Sequence, residues 1–262
     1  MLTRRDKFLG LESLLVGWPA ASPPVLELLS QVAVIKVLQC SATVANELLP
    51  YAFHRKSFTT SLLDLSLGEA ALWQGLDPKS CRYEIRKAQK LDCVIRHNEE
   101  TDAAFGLLRA FIDRNQYRAA LSPADWEGLL PNHDVFLAKT AGEPIAVHVL
   151  LADPPHRARL LLSATVDRND PRFKNVVGPV NRLLHWHEIL YYQRQAVACY
   201  DFGGCDLDER SPLYPIARFK LSFGGPTVQE DTLYLAGNRL LRLALRSGRK
   251  LRSSWRGVRS NA

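Results

Sequence analysis

The apolar residues in the first half of the chain change between strand-like and helix-like spacing. Residues 32–40 and 59–65 are rich in leucine and β-branched residues, and each stretch predicts a strand. Pro78, a type of residue favoured in the first turn of a helix, predicts a helix that runs to about residue 90. Residues 92–97 alternate as a strand does. The apolar stretch at the N-terminus is short and interrupted by Glu12, and it predicts an amphipathic first helix.

In the second half, several strand patterns follow one another directly. Thr101 and Ser122 are expected to cap two helices, because their hydroxyl groups can accept hydrogen bonds from backbone N–H groups of the first turn. Residues 134–139, 144–151 and 159–166 then show three successive strand patterns. These patterns predict consecutive antiparallel strands.

A long helix is predicted after these strands. It begins at Gly178 and Pro179, and the apolar residues after them repeat at helical spacing. A strand at 197–202, a short helix near 216–221 and a final strand at 227–235 complete the order. Because helices and strands do not alternate regularly, the sequence predicts a mixed α/β (α+β) layer and not a doubly wound fold.

The positive charge of the chain is concentrated at its C-terminal end. The 262 residues carry 34 basic and 27 acidic side chains, which give a formal net charge of +7. Eight of the basic residues and none of the acidic ones lie between Arg239 and the C-terminus, so 26 basic and 27 acidic residues remain elsewhere. The nearly neutral body excludes a protein that binds nucleic acid over its whole surface, and a basic tail with its own partner stays possible.

The cysteines and the apolar runs indicate the compartment. The five cysteines include no Cys-x-x-Cys pair, which argues against a disulfide framework and against a zinc site. No apolar run approaches the roughly 18 residues of a membrane-spanning helix. The protein is therefore expected in the cytoplasm.

Four segments together carry a family resemblance. Two lie in the first half, at 58–65 and 82–90, and the others are Tyr-Asp-Phe-Gly-Gly at 200–204 and Ile-Ala-Arg-Phe-Lys-Leu-Ser-Phe-Gly-Gly at 216–225. In this order, the segments resemble the FemAB-like and BioF2-like branch of the GNAT acyltransferase superfamily. The resemblance covers about residues 57–236.

The resemblance implies a fold and a domain organisation. The expected fold is a GNAT-like mixed sheet flanked by helices. Residues 1–98 would form a truncated first lobe, residues 99–238 a complete catalytic lobe, and residues 239–262 a basic tail.

The resemblance also implies an activity. It indicates an N-acyltransferase that moves an acyl group from an acyl-CoA, such as acetyl-CoA, to an amine. The acceptor would be an amino sugar or another cell-envelope precursor, either a small molecule or a lipid-linked one. The alternatives are a FemAB-type transferase that takes an aminoacyl group from tRNA to a peptidoglycan precursor, and a non-catalytic scaffold with a membrane- or RNA-binding tail.

Lys220 is the first candidate for a catalytic residue. Apolar packing by Phe219 and its neighbours could hold the ammonium group of Lys220 toward a site, where it would stabilise an oxyanion or a phosphate. A lysine that extends along the surface into water is the ordinary alternative. The resemblance favours the first interpretation, because the lysine of this Phe-Lys pair is implicated in catalysis in the family.

The segment around Asp201 is expected to contact substrate. Glycines at the C-terminal end of a strand allow close approach, and open α/β sheets tend to bind ligands at that end. The substrate-binding candidates here are Tyr200, Phe202, Gly203, Gly204 and Phe219. Asp201 is either the hydrogen-bonding residue of a turn or a catalytic base. Glu188 and His187 are the other candidates for the base, and the sequence does not choose among the three.

The start of the long helix is a candidate site for the phosphates of a donor. Free backbone N–H groups at a helix N-terminus favour an anion, and nearby basic side chains would add to that preference. The residues concerned are Arg172, Lys174, Asn175, Val177 and Gly178. A glycine and a proline that merely begin a helix are an equally good explanation.

Other polar residues give weaker indications. Arg82 and Arg86 could contact a phosphorylated acceptor, although a solvated helix face is the commoner explanation. His185 and His187 are two residues apart on a helix and therefore point in different directions, so no metal is expected. His148, in an apolar strand, is interpreted as a hydrogen-bonded core residue.

The basic tail could form an amphipathic helix. Leu241, Leu245, Leu251 and Trp255 could share one face of it while the arginines take the other. Such a helix fits an anionic membrane at its inner face, or the phosphates of RNA. A tail that only keeps the protein soluble is the remaining explanation.

Overall fold

The computed structural model describes residues 2–116 and 121–247, which form two compact units. Within the described ranges, residues 2–60 and 228–247 belong to the first unit and residues 61–227 to the second. The predicted amphipathic helix at the N-terminus is wrong. Strands β1 (Leu2–Phe8) and β2 (Leu11–Gly17) form an antiparallel hairpin there, joined by a turn at Leu9 and Gly10.

The first unit is a mixed sheet with helices packed on it. Its further strands are β3 (Val34–Cys40), the first part of β4 (Ala52–Asp64) and β10 (Thr227–Leu235), in the spatial order β1-β2-β3-β10-β4. Strands β2 and β3 are parallel, and β3 and β10 are antiparallel. The helices are α1 (Pro23–Leu29), α2 (Ala42–Leu48) and α9 (Arg239–Ser247). Val16, Val25, Ile35, Leu48 and Leu235 lie in the core of this unit.

The second unit contains the other end of β4 and five further strands. These are β5 (Cys93–His97), β6 (Asp134–Thr140), β7 (Glu143–Asp153), β8 (Arg157–Thr165) and β9 (Cys199–Gly204). The spatial order is β4-β9-β8-β7-β6-β5. The pairs β5–β6, β6–β7 and β7–β8 are antiparallel, as the sequence predicts for β6 to β8, whereas β8 and β9 are parallel.

The helices of the second unit follow the predicted order. They are α3 (Glu69–Gly75), α4 (Tyr83–Ala88), α5 (Thr101–Arg114), α6 (Pro123–Leu129), α7 (Val177–Arg194) and α8 (Tyr214–Leu221). A π-helical turn, Pro78–Arg82, leads into α4, so the helix predicted to begin at Pro78 is confirmed. The predicted cap of α6 is also confirmed, because Ser122 and Asp125 form a reciprocal capping box. The predicted cap at Thr101 is wrong, because Thr101 is the first residue of α5 itself and Glu100 precedes it.

Alternating residues of the central strands face two separate cores. Phe136 and Ala146 pack in one core with Val180 and Leu184 of α7. Val135, Leu137 and Val147 pack in the other core, with α5 and α6. Since successive side chains of a strand point to opposite faces, α7 covers one face of this sheet and α5 and α6 cover the other.

This architecture confirms the predicted class, a mixed sheet flanked by helices. The compact units have limits other than 98 and 99, and the division into a truncated and a complete lobe stays a prediction. The basic tail begins as α9, while Leu251 and Trp255 lie outside the described residues. All five cysteines are free thiols. No helix within residues 2–116 or 121–247 has the length and hydropathy that a bilayer crossing requires.

A close backbone approach in the second unit fixes the segment after α8. Gly224 has a φ of 88°, and a Cβ built on it would lie 2.4 Å from the Gly75 carbonyl oxygen. A side chain at position 224 would therefore need a shift of the backbone, besides an unfavourable φ.

We predict that Gly224→Ala destabilises the protein by more than about 2 kcal/mol, because it combines a positive φ with a backbone clash. Gly106, at an exposed position of α5, is the matched control, since nothing lies within 4 Å of a Cβ built there. Gly106→Ala is expected to stabilise the helix by about 0.5–1 kcal/mol. Urea denaturation of both variants measures the two effects, and equal stabilities would contradict the prediction.

Candidate active site

Lys220 is buried at the end of α8. Its side chain is 2% exposed, and its Nζ donates a hydrogen bond of 2.8 Å to the carbonyl oxygen of Gly204. Burial lowers the pKa of Lys220 to about 8, while the nearby Cys205 and Asp201 oppose that shift. The sequence offered a surface lysine as the ordinary alternative, and the structure excludes it. A cationic group is thus buried beside the last residue of β9, close to the charges of Asp201 and Arg159.

Asp201 lies on β9, in the part of the strand that pairs with β8. Its Oδ1 accepts a hydrogen bond of 2.8 Å from the backbone N–H of Gly203. Its Oδ2 is 3.5 Å from Nη1 of Arg157 and 3.5 Å from Nε of Arg159. Asp201 and both arginines are buried. These charged side chains form contacts between β8 and β9, next to Gly203 and Gly204 at the end of β9.

The glycines after Phe202 bring the backbone close to Lys220. A Cβ on Gly203, which has a φ of 75°, would lie 3.3 Å from the Leu160 carbonyl oxygen and 3.8 Å from Nζ of Lys220. Tyr200 and Phe202 are fully buried. Of the substrate-binding candidates, Gly203 and Gly204 therefore lie beside the Lys220 ammonium, and Phe219 precedes Lys220 on α8.

One face of α7 points toward the residue beside Lys220. The guanidinium of Arg182 lies 4.5 Å from the ring centre of Phe219, and the ring of His185 lies 5.6 Å from it. Gly178, one turn before Arg182, would place a Cβ 3.9 Å from Nη1 of Arg182. Burial lowers the pKa of Arg182, and its Nε is buried without a hydrogen bond within the described part of the chain. Arg182 is thus a partly desolvated cation between the start of α7 and Phe219.

A buried hydrogen-bond network lies behind this face. Tyr200 donates a hydrogen bond of 2.5 Å to Oε2 of Glu188, and Nδ1 of His185 is 2.9 Å from the same hydroxyl oxygen. Nδ1 of His148 is 2.7 Å from Oε1 of Glu188, and its Nε2 is 2.9 Å from Oδ1 of Asn181. Glu188 and His148 are completely buried. The interpretation of His148 as a hydrogen-bonded core residue is confirmed.

The network determines which nitrogen of His185 carries a proton. Burial acts to raise the pKa of Glu188, but the charge and hydrogen bond of His148 and the hydrogen bond of His185 outweigh it and hold the pKa below its usual value. Ionised Glu188 can only accept, so the proton of Tyr200 points to Glu188. The oxygen of Tyr200 then accepts from Nδ1–H of His185. Burial first, and His148 second, lower the pKa of His185 to about 4, so its Nε2 holds a lone pair at neutral pH.

His148, His185 and Glu188 are also close enough to hold a metal ion, since their ligand atoms lie within 4.8 Å of one another. Both nitrogens of His148 and both carboxylate oxygens of Glu188 already take part in hydrogen bonds. The polar atoms of His148 and Glu188 are therefore satisfied without a cation. A metal would have to displace Tyr200 or shift His148.

The five residues predicted to bind the phosphates of the donor lie in different environments. Arg172 is exposed and turned to Asp170, with 2.7 Å between Nη2 and the carboxylate. Lys174 and Asn175 are exposed, and Val177 is buried in the core. Gly178 alone among them lies beside the guanidinium of Arg182.

The other predicted residues lie on α4, on its preceding turn and on α7. Arg82 is 3.4 Å from Oε1 of Gln74, and its Nε is buried without a partner in the described ranges. Arg86 stacks over Trp73 at 5.5 Å. His187, one of the three candidate bases, is exposed.

Sequence reasoning missed Arg157, Arg159, Arg182 and the role of His185. Arg157 and Arg159 carried a usable signal, since they are charged residues two apart on an otherwise apolar strand and so share one face. Arg182 and His185 are three apart on a helix and also share a face. Both residues contact Phe219 of α8, which is more than 30 positions away in the sequence. Local spacing therefore could not reveal this contact.

The architecture is similar to that of known structures. No family model matches this sequence, and neither does any curated protein. FemX matches in structure with a TM-score of 0.67 at 12% identity, covering 93% of this chain and 86% of that one. The C-terminal domain of a putative lysylphosphatidylglycerol synthetase from Agrobacterium fabrum matches with a TM-score of 0.56 at 12% identity, covering 93% and 87%. L-PGS from Bacillus licheniformis gives the same four values. These similarities confirm a fold shared with FemX, as the FemAB-like resemblance predicts.

We predict that His185 is a neutral Nδ1–H tautomer at pH 7, because its Nδ1 donates to Tyr200. Nitrogen-15 NMR of histidine-labelled protein reports the tautomer through the shifts of the two ring nitrogens. In Tyr200→Phe the hydroxyl acceptor is gone, and the tautomer preference is expected to weaken. Tyr191→Phe, on the same helix as His185 but outside the network, is the control. An imidazolium, or an Nε2–H tautomer in the wild type, would contradict the network.

Proposed function

We propose that this protein is an acyltransferase that moves an acyl or aminoacyl group from an activated, anionic donor to an amine of a cell-envelope precursor. The observation that carries the proposal is Lys220, a buried cation at the end of β9. Its position next to Gly203 and Gly204 supports a reaction centre there. The fold, shared with FemX and with a lysylphosphatidylglycerol synthetase, supports transfer chemistry of this class.

The reaction has a charge that Lys220 could stabilise. The amine nitrogen attacks the carbonyl carbon of the donor and forms a C–N bond, and the carbonyl oxygen becomes an oxyanion. Collapse of this intermediate breaks the bond to the leaving sulfur or oxygen, which departs with the proton lost by the amine. A positive charge preorganised at the oxyanion in a low-dielectric site typically contributes several kcal/mol to such a step. Lys220, mostly protonated at neutral pH because its pKa is about 8, has the charge required.

We assign the hydrogen-bond acceptor for the attacking amine to His185. The ring of His185 lies among Phe202, Phe219 and Phe223, whose ring centres are 5.2 to 5.6 Å from its own. The charge of Lys220 contributes to the lowered pKa of His185, so the two groups act on each other electrostatically. A neutral imidazole can accept the N–H of the amine and pass its proton to the leaving group. Tyr200 and Glu188 hold the ring in this tautomer.

Asp201 has a positioning role in this scheme. Its Oδ1 accepts a hydrogen bond from the backbone N–H of Gly203, and its Oδ2 lies close to two arginines. These contacts would hold the end of β9 in place, where the Gly204 carbonyl oxygen accepts the hydrogen bond of Lys220. Glu188 is enclosed in the network, and His187 is exposed. Among the three bases considered from the sequence, none is as well placed for the amine as His185.

Two kinds of acyl donor fit this scheme. An acyl-CoA would place its pyrophosphate at the start of α7. There the unpaired Nε–H of Arg182 would donate a hydrogen bond to a phosphate, and Gly178, Lys174 and Asn175 would lie next to the bound phosphates. Arg172 would first have to leave Asp170. An aminoacyl-tRNA is the second candidate, and the similarity to FemX and to a lysylphosphatidylglycerol synthetase favours it. Either donor brings the negative charge that Arg182 requires.

Two kinds of acceptor also fit this scheme. The lysylphosphatidylglycerol named in one structural neighbour supports a lipid-linked acceptor presented at the inner face of the membrane. Arg82, with its buried and unpaired Nε, and Arg86 would contact a phosphate of such a molecule. An amino sugar is the smaller alternative.

The proposal predicts transfer that depends on Lys220. The purified protein is incubated with acetyl-CoA or with lysyl-tRNA, together with glucosamine and a lipid-linked muropeptide as acceptors, and products are detected by mass spectrometry. The expected result is an acceptor heavier by one acyl or aminoacyl group with one of the donors. Lys220→Met keeps the volume of the side chain but removes its charge, and it is expected to slow transfer by a factor of about 100 to 1,000.

Lys90→Met is the matched control, because Lys90 is exposed and outside the site. It should leave the rate unchanged. If no donor raises the melting temperature and no product forms, the scaffold alternative replaces the proposal. If Lys220→Met transfers as fast as the wild type, Lys220 has no part in the chemistry.

A further inference from the structure

The last described helix of the first unit, α9, is oriented in an unusual way. Two of its arginines point back to the protein: Nη1 of Arg242 donates to the Ala236 carbonyl oxygen at 2.8 Å, and Nη2 of Arg246 donates to that of Ala52 at 2.5 Å. Leu245 is buried with Phe8 and Val34, and it anchors the helix to the sheet. The helix is thus fixed to its unit through both charged and apolar contacts.

The leucines on the other side of α9 face solvent. Leu240 is 77% exposed and Leu243 is 48% exposed, and Ala244 next to them is also exposed. These residues are three and four positions apart, so they form one continuous stripe on the helix surface. A continuous apolar stripe that stays exposed on an anchored helix indicates an interaction surface, whereas single exposed apolar residues are ordinary.

The surface beside the helix is concave. A cavity of about 910 Å³ opens next to α9, and its lining is mixed: Leu26, Leu29 and Leu240 lie there together with the polar Glu12 and Asn238. Leu240 therefore lies at the border between the exposed stripe and a partly polar recess of the same unit. The recess can accept polar headgroup atoms, while the stripe itself is the apolar part of the surface.

The sequence that begins with α9 is strongly basic. Arg239, Arg242 and Arg246 lie on α9 itself, and from Arg239 onward the sequence contains eight basic residues and no acidic one. Juxtamembrane basic residues attract anionic lipid headgroups over distances of about a Debye length. The same charge would make two copies of this helix repel each other.

We propose that this face of the first unit docks on a bilayer containing anionic phospholipids, with Leu240 and Leu243 inserted at the level of the headgroups. The exposed leucines are what favours a bilayer over RNA. Phosphates alone would bind the arginines but give no favourable contact to the stripe. The proposal concerns only the first unit, so it stands or fails separately from the transfer reaction.

The test compares binding of the full chain to vesicles of phosphatidylcholine with and without phosphatidylglycerol, measured by cosedimentation. Binding is expected only with phosphatidylglycerol and should weaken as salt is added. Leu240→Ser combined with Leu243→Ser is expected to weaken binding at least about tenfold, because the inserted apolar surface is lost. Both positions are exposed, so the variant should keep its circular dichroism spectrum and melting temperature.

Leu67→Ser combined with Leu207→Ser is the matched control, because each of these leucines is 45% exposed in the second unit. This control should bind vesicles as the wild type does. Equal binding to both vesicle types, no binding to either, or full binding by the Leu240/Leu243 variant would each overturn the proposal. So would tight binding to poly(U) RNA without vesicle binding, or a dimer that the Leu240/Leu243 variant converts to a monomer.

Discussion

The burial of one positive charge constrains the arrangement of the second unit. Taking an ammonium group out of water is costly, and the pKa of Lys220, lowered to about 8 by burial, expresses that cost. The Gly204 carbonyl and the negative charge of Asp201 offset part of it. A side chain at position 203 would come within 3.8 Å of the Lys220 ammonium, so a glycine leaves room for the buried charge there. Natural proteins retain such a destabilising group mainly where it serves function.

The long helix α7 supplies the complementary groups on a single face. Arg182 contacts Phe219 next to Lys220, and His185 reaches the same ring one turn later. Behind them, Tyr200 and Glu188 determine the proton on His185 through hydrogen bonds that are closed to water. Two cations and one neutral imidazole thus meet at Phe219. This combination suits an anionic donor and a nucleophile that must lose a proton.

The sequence was sufficient for features that depend on local pattern. The strand at 227–235 matches β10, the cap at Ser122 is present, and Lys220 of the Phe-Lys pair is buried on the predicted short helix. Features that depend on distant pairing could not be foreseen. The parallel pairing of β2 with β3 turned an expected helix into strands, and the register of β8 on β9 brought Arg159 to Asp201. Local spacing carries no information about such contacts.

The most direct test of this account measures the stability of Lys220→Met against the wild type as a function of pH. The folded protein holds Lys220 with a pKa of about 8, whereas the ordinary value is 10.5, so the charge penalises only the folded state. At pH 7 the variant should be more stable by on the order of 1–3 kcal/mol. The difference should shrink as pH rises from about 8 toward 10.5, because the wild type then loses the buried charge. A less stable variant at pH 7, or a difference independent of pH, would contradict the account.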